Sequence, residues 1–264
     1  DISFDRSINA YKGCEHGCVY CFARPTHAYL DLSPGLDFET QIFYKTNVQE
    51  CLRAELEKKS YRPAVIALGT NTDPYQPVEK RLRNTRLILE TLLEYRHPVS
   101  IVTKGALLER DIDLLTRFAA QGLVSVMLSI TTLDNGLKVR LEPRAASPAK
   151  RLDLVRQLAG VGVPVGVMVA PLIPWLNDME LEEILRRAAE AGATRANYIL
   201  LRLPAEVQNL FTEWLRCHYP ERAEHVLSLM RDTRGGALSD AAAEPPRVGL
   251  PGTKCISLHR PSLH

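Results

Sequence analysis

Long apolar runs, signal-peptide features and excess charge are all missing from this sequence. The longest apolar stretch, residues 161–176, is interrupted by Pro164, Pro171 and Pro174, which argues against a membrane-spanning helix and favours a buried strand. Residues 1–6 contain no apolar core of a signal peptide. The formal net charge of +2 gives no general attraction for nucleic acid or for acidic partners. We therefore expect a cytoplasmic protein that does not associate with membranes.

Outside one cluster, cysteines are few and scattered. Cys51, Cys217 and Cys255 lie far apart in the sequence and predict no disulfide framework. This usage is typical of a protein from a reducing compartment, which agrees with a cytoplasmic location.

The sequence also lacks a Gly-rich dinucleotide fingerprint after its first strand, which disfavours a Rossmann domain. Short apolar segments alternate instead with amphipathic ones, and this alternation indicates a parallel sheet covered by helices. With the cysteine-bearing segment as the first, we count six strand-then-helix units, and an open or partial barrel fits them better than a Rossmann fold. The predicted strands are 65–68, 99–103, 124–131, 165–170 and 196–203, and the predicted helices are 48–56, 84–95, 111–121, 148–159, 179–191 and 205–231, the last broken near Pro220.

The regular pattern stops after residue 231. Residues 232–264 contain Gly235-Gly236, Ala241-Ala242-Ala243 and Pro245-Pro246, a composition typical of flexible segments. We therefore divide the chain into a core barrel, residues 1–231, and a flexible C-terminal tail, residues 232–264.

Three of the six cysteines, Cys14, Cys18 and Cys21, fall within eight residues of one segment, residues 13–22, here called the cysteine loop. Thiolates favour soft metals, so the loop predicts a zinc site or an iron–sulfur cluster. A zinc site needs a fourth ligand, which His16 or His27 could supply. A redox pair would leave Cys14 unexplained. Three ligands on a four-iron cluster would leave one iron open for catalysis.

The spacing Cys14-x-x-x-Cys18-x-x-Cys21, with Tyr20 before the third cysteine, resembles the signature of the radical S-adenosylmethionine (SAM) superfamily. Within that superfamily the sequence to about Arg231 is similar to the spore photoproduct lyase branch, whose members are often called DNA repair photolyases. The matching segments are 13–22, 72–73, 102–104, 128–129, 141–143, 147–148, 150–151 and 169–171.

This resemblance implies a partial (β/α)6 TIM-like barrel of the radical SAM type. It implies a [4Fe-4S] cluster held by Cys14, Cys18 and Cys21, with SAM bound at the open iron. Reductive cleavage of SAM would give a 5′-deoxyadenosyl radical that abstracts hydrogen from a substrate. The electron would come from a reducing partner such as flavodoxin or ferredoxin, and the substrate of a lyase-like reaction could be a nucleic acid or a small molecule. The alternative is a zinc- or cluster-stabilised binding protein without catalysis.

Functional groups of parallel barrels gather at the carboxyl ends of the strands, where several polar residues of this sequence fall. By resemblance, Lys104 and Ser129 would contact the methionine carboxylate of SAM, while Tyr20 and Ala170 would lie near its adenine. Each has a structural alternative: Lys104 as a solvated lysine, for example, or Ser129 as a satisfied strand hydroxyl.

The segment 69–77 follows the second strand and is dense in small polar and turn residues, as ligand-binding loops often are. By resemblance, Asn71, Thr72 and Asp73 are candidates for holding the amino group of SAM. Glu142 and Arg151 could form a buried pair on the ribose side of the cofactor, or an ordinary surface pair.

Thr70 stands where spore photoproduct lyase has the cysteine that gives a hydrogen atom to the product radical. A hydroxyl bond is far stronger than a thiol bond, so Thr70 cannot replace that donor. Support for nucleic-acid binding is limited to two features. Residues 80–86 carry a basic cluster that could contact phosphate or form a solvated helix face. Tyr75 or Trp175 could stack on a base, although a Trp beside prolines more often packs against its loop.

Overall fold

The computed structural model describes residues 5–232, residue 238 and the backbone of residues 255–259. The strands are β1 (Arg6–Ile8), β2 (Tyr11–Lys12), β3 (Gln41–Lys45), β4 (Ile66–Leu68), β5 (Val99–Thr103), β6 (Val124–Ser129), β7 (Val165–Leu172), β8 (Arg195–Leu200) and β9 (Cys255–His259). The α-helices are α1 (Asp37–Thr40), α2 (Val48–Leu56), α3 (Glu79–Leu82), α4 (Asn84–Glu94), α5 (Ile112–Ala119), α6 (Asn135–Leu141), α7 (Pro148–Gly160), α8 (Leu181–Glu190), α9 (Ala205–His218) and α10 (Ala223–Asp232). Three 3₁₀ helices span Arg24–Leu30, Ala106–Asp111 and Asp178–Glu180.

Six strands form one parallel sheet in the order β1-β4-β5-β6-β7-β8. Each of the first five strands of this sheet is followed by at least one helix before the next strand of the sheet, and the cysteine loop lies between β1 and β4. The two outer strands, β1 and β8, do not pair with each other, so the sheet stays open. This confirms the predicted mixed α/β fold and its partial barrel.

One face of the sheet packs against the helices and forms the main core. Along β6, Val124, Val126 and Leu128 are buried, whereas the alternating Ser125 and Met127 are half-buried. This period of two places the first set towards helices α5 and α7 and the second on the concave face of the barrel. The concave face is therefore the more open one.

A second, antiparallel sheet lies beside the start of the barrel in the order β2-β3-β9. Strand β2 leads directly into the cysteine loop, so this small sheet positions the loop. Strand β9 falls within the predicted flexible tail, where the composition gave no sign of a strand. Residues 233–237, 239–254 and 260–264 lie outside the described residues, so flexibility of the tail stays a prediction.

The predicted strands and helices of the barrel are present with small shifts at their ends, and the break predicted near Pro220 is confirmed, since α9 ends at His218 and α10 begins at Ala223. Ser147 caps α7 as its sequence indicates, since its hydroxyl accepts a hydrogen bond from the Lys150 amide at 3.3 Å. Helix α6 was not predicted. In the described part of the chain, no helix combines the length and apolarity needed to cross a membrane.

Candidate active site

The cysteine loop is held by hydrogen bonds from segments far away in sequence. The Cys14 amide donates to the Phe38 carbonyl at 2.8 Å, and the Val19 amide donates to the Leu141 carbonyl at 3.1 Å. Gln76, fully buried, bonds both sides of Cys14: its side-chain oxygen accepts from the Glu15 amide at 2.9 Å and its amide nitrogen donates to the Gly13 carbonyl at 3.1 Å. The position of each thiol thus depends on the folded barrel.

Two arginines brace the same loop from the other side. Arg24 is buried and donates from Nε to the Cys18 carbonyl at 3.0 Å and from Nη2 to Glu39 at 2.5 Å. Arg144 also pairs with Glu39 and donates to the Glu15 carbonyl. The cysteine loop needs a glycine at position 17. Gly17 has a φ of +69°, and a side chain there would collide with Arg144 and Glu39.

Burial raises the pKa of all three loop thiols. The pKa of Cys18 is raised to about 12 by burial, although Lys104 opposes the shift. Burial, with the nearby Asp73 carboxylate, raises the pKa of Cys14, and burial also raises that of Cys21. None of the three forms a disulfide. Binding of a metal centre at these thiols must therefore release protons, as thiolate ligation always does.

The zinc alternative needs four convergent ligands around one ion. Among the described residues, no three or more His, Cys, Asp and Glu side chains come close enough together to hold a single metal ion. His27 packs beside Gly13, but its Nε2 lies 3.0 Å from the Gln41 carbonyl oxygen. The zinc alternative therefore stays an untested prediction.

A buried ionic network lies next to Cys18. Glu142 is fully buried and pairs with Arg151 and, at 2.9 Å, with Lys104. The Tyr20 hydroxyl bonds Glu142 and accepts from Lys104 at 2.7 Å. This confirms the buried Glu142–Arg151 pair. It also shows that Lys104 is not a solvated lysine.

The charges of this network hold one another in the ionised state. Burial would raise the pKa of Glu142, but Arg151 and Lys104 bring it well below its usual range. Burial would lower the pKa of Lys104, yet Cys18 and Glu142 raise it well above its usual value. Sequence reasoning missed Lys138, which also belongs to this network. Burial and Arg151 lower its pKa, and Glu142 and Cys18 oppose that shift. The network thus contains three basic side chains and one carboxylate, and this excess of positive charge favours the binding of an anion beside Lys104.

Two strand-end hydroxyls join the network to β7. Thr131 Oγ1 lies 2.7 Å from a Glu142 carboxylate oxygen and 3.3 Å from the Ala170 carbonyl oxygen. Ser129 also donates to that carbonyl at 3.3 Å, and the Ser129 carbonyl accepts from Arg151 at 2.9 Å. Four predicted residues are therefore brought together at this end of the sheet: Tyr20, Lys104, Ser129 and Ala170.

The loop after β4 forms a second group, in which the three predicted residues differ in their environment. The Asn71 amide donates to the Asn9 side-chain oxygen at 3.1 Å, while the Asn71 Oδ1 is buried and has no hydrogen-bond partner. Thr72 is buried and donates its hydroxyl to the Tyr11 carbonyl at 3.0 Å. An unpartnered buried acceptor is costly, so Asn71 is the residue of this group best suited to receive a donor from a ligand.

Asp73 connects the two groups. Its carboxylate accepts from the Thr103 hydroxyl at 2.6 Å, the Lys104 amide at 2.9 Å and the Tyr75 amide at 2.8 Å. His16 Nδ1 of the cysteine loop lies 3.4 Å from it. Burial alone would raise the pKa of Asp73. Its interactions with His16, the Lys104 amide and the Thr103 hydroxyl lower that pKa to about 2. Asp73 thus ties the cysteine loop to the ends of β4 and β5.

These residues fit the cluster and SAM that the motif implies. Three thiols, those of Cys14 and Cys18 buried and that of Cys21 partly buried, supply the ligand set of an iron–sulfur centre with an open position. The excess of cations around Lys104 suits a carboxylate, and the unpartnered Asn71 Oδ1 suits an ammonium group. An amino acid moiety presents both groups together.

Comparisons with known proteins identify the family of the chain. The sequence model of the Radical SAM superfamily matches residues 8–188. An uncharacterized protein of Mycobacterium tuberculosis is 42% identical over 232 residues, which cover 87% of this chain and 68% of that protein. The Radical SAM Nalpha-GlyT isomerase of Pseudomonas phage M6 is 24% identical over 244 residues, covering 89% of this chain and 47% of the phage protein.

Solved structures show the same fold. A spore photoproduct lyase variant superposes with a TM-score of 0.61 and 18% identity, covering 84% of this chain and 64% of that one. A second variant, solved with bound AdoMet and dinucleoside spore photoproduct, gives a TM-score of 0.57 and 17% identity over 83% of this chain and 62% of that one. This chain thus spans under two thirds of the lyase. With the family match extending over more than half of its length, the chain belongs to the radical SAM superfamily.

Proposed function

We propose that this protein binds a [4Fe-4S] cluster through Cys14, Cys18 and Cys21 and cleaves SAM reductively to abstract hydrogen from a substrate. The observation that carries the proposal is the set of three thiols, two buried and one partly buried, beside the ionic network of Lys104, Glu142 and Arg151. When bound, the cluster and SAM supply the radical chemistry. The protein's part is to bind, to orient and to keep water away.

Each polar group of the site has a defined task in this proposal. Lys104 binds the carboxylate of SAM, and Ser129 supports it from the neighbouring strand end. Asn71 accepts a hydrogen bond from the ammonium group. Glu142 and Arg151 keep Lys104 in place, while Tyr20 and the Ala170 backbone border the adenine. Because these groups are buried or nearly so, their hydrogen bonds act in a low-dielectric environment, where they are strongest.

For the substrate we infer a nucleic acid, acted on in a lyase-like reaction. Support comes from the spore photoproduct lyase structure with its bound dinucleoside and from the shared fold. The reaction must differ from that of the lyase in its hydrogen donor. Thr70 is half-buried, with its hydroxyl 3.5 Å from Asn9 Nδ2. Among the described residues, Cys51 lies on α2 and Cys217 is exposed on α9, so no other cysteine stands at the end of a barrel strand.

Anaerobic reconstitution with iron and sulfide tests the proposal. We expect a brown protein with broad visible absorption that releases 5′-deoxyadenosine and methionine from SAM after reduction by dithionite, flavodoxin or ferredoxin. A colourless protein that carries stoichiometric zinc and leaves SAM intact would instead establish the binding-protein alternative.

Replacing Asn71 by Ala should weaken SAM binding by roughly 10-fold or more, because hydrogen bonds to charged groups contribute about 1.5–3 kcal/mol. The measurement is equilibrium binding of SAM to the reconstituted, unreduced protein. Asn71→Asp keeps an acceptor and should bind SAM at least as well as the Ala variant. Asn135→Ala, an exposed position on α6, is the control. Unchanged affinity in Asn71→Ala would exclude Asn71 as the ammonium ligand.

A further inference from the structure

Trp175 is exposed where a tryptophan would ordinarily be buried. It follows β7 by three residues, and 54% of it is accessible to solvent. Its backbone has a φ of +62°, in the left-handed region that bulky residues rarely adopt. Exposure and strain both cost stability, and such combinations are concentrated at ligand-contacting sites. Over half of Trp175 is therefore accessible to a ligand.

The loop that carries Trp175 is rigid. Asn177, only 1% exposed, accepts from the Ile173 amide at 2.6 Å and donates to the carbonyls of Pro171 at 2.9 Å and Thr131 at 2.7 Å. These bonds fix the loop to the end of β6. The backbone that carries the indole is thus anchored in the protein alone, which limits how far it must be ordered when a ligand binds.

The position of the loop puts Trp175 on the rim of the cofactor site. Thr131, to which Asn177 is bonded, also contacts Glu142, and Glu142 pairs with Lys104. Only this short chain of contacts separates the indole loop from the proposed carboxylate site of SAM. A substrate that reaches the radical must pass this end of the sheet.

A histidine from α10 contacts the indole, and an arginine precedes it in the sequence. The ring of His225, on α10, meets it edge-to-face at 4.7 Å between centroids. Arg222 lies three residues earlier, immediately before the first residue of α10, where its carbonyl accepts from the Val226 amide at 3.0 Å, and its side chain is exposed. Within the described part of the chain, the Arg222 guanidinium has no ion pair or hydrogen bond, unlike Arg216, which pairs with Glu224. An exposed indole, together with a guanidinium at the start of the helix that contacts it, suits a planar base attached to a phosphate.

We propose that Trp175 and Arg222 dock one nucleotide of a single-stranded DNA substrate at the rim, the indole stacking on the base and the guanidinium contacting the adjacent phosphate. This rests on the proposed nucleic-acid substrate and specifies how it is held. Tyr75, the other aromatic considered for stacking, is 1% exposed and cannot take this role.

The test is fluorescence anisotropy of a labelled ten-nucleotide DNA strand with the reconstituted protein. Base–aromatic stacking predicts that Trp175→Ala weakens binding about 5- to 150-fold. Trp175→Phe should restore most of the affinity, since it keeps an aromatic face. Arg222→Ala should weaken the salt dependence of binding: the slope of log affinity against log salt concentration should become smaller in magnitude by about one. Tyr29→Ala, which removes an aromatic that is 63% exposed elsewhere, should bind normally.

An abasic strand of equal length separates stacking from charge. We expect the wild-type protein and Trp175→Ala to bind it equally and weakly. Equal binding of base-bearing DNA by these two proteins, or no binding by the wild type, would overturn the docking proposal. A loss of SAM affinity in Trp175→Ala with unchanged DNA affinity would also overturn it. Because SAM cleavage without substrate is measured separately, failure of the docking leaves the proposed SAM chemistry standing, and the reverse also holds.

Discussion

Cys18→Ala protein reconstituted anaerobically should contain no stable cluster and form no 5′-deoxyadenosine above the protein-free blank. The reason is the number of ligands: three thiols are all that the cysteine loop offers, and loss of one leaves too few to retain the cluster. The measurements are iron and sulfide content, visible absorption and 5′-deoxyadenosine after reduction. We expect the same result for Cys14→Ala and Cys21→Ala.

The matched control is Cys217→Ala, which removes an exposed thiol on α9. It should keep full cluster content and full SAM cleavage. Circular dichroism of each variant would show that the barrel is folded. A Cys18→Ala protein that is folded and still cleaves SAM would refute the assignment of the cluster to this loop.

Glu142→Gln should destabilise the protein by about 3–5 kcal/mol, because it leaves two buried cations, Arg151 and Lys104, without their carboxylate. For a chain of this size the loss corresponds to a fall in melting temperature of roughly 10 °C. Thermal unfolding followed by circular dichroism measures it. The double variant Glu142→Gln with Arg151→Met removes one uncompensated cation and should recover part of the loss.

Glu109→Gln is the matched control for this substitution. Glu109 pairs with Lys150 at 2.8 Å, but its side chain is 46% exposed, so the pair contributes at most about 1 kcal/mol. A melting temperature of Glu142→Gln that equals that of Glu109→Gln would contradict the role of Glu142 as the central anion of the site.

The barrel could be predicted from the sequence because its strands and helices carry local signals. Apolar runs bounded by Gly or Pro mark the strands, and Ser147-Pro148 marks the start of α7. Helix α6 was not predicted, because it is short and has Gly136 in its first turn. Strand β9 was not predicted, because its pairing with β3 joins segments more than two hundred residues apart in the sequence.

The site could be predicted only where a motif or a resemblance named its residues. The bonds from Gln76 to Gly13 and Glu15 join residues more than sixty positions apart, and nothing local in the sequence signals them. The roles of Lys138 and Asn177 likewise depend on packing between distant segments. Nor could composition distinguish Asn71, with its unpartnered oxygen, from the adjacent Thr72, whose hydroxyl is already bonded.

The anchoring of the cysteine loop has a consequence for its dynamics. A surface loop rich in glycine ordinarily opens by itself and exchanges its amide hydrogens quickly. Here the amides of Cys14, Glu15 and Val19 donate to three separate segments, near residues 38, 76 and 141. The loop can open only if contacts to all of them break, so it belongs to the same cooperative unit as the barrel. In hydrogen exchange these three amides should be as slow as the central strands.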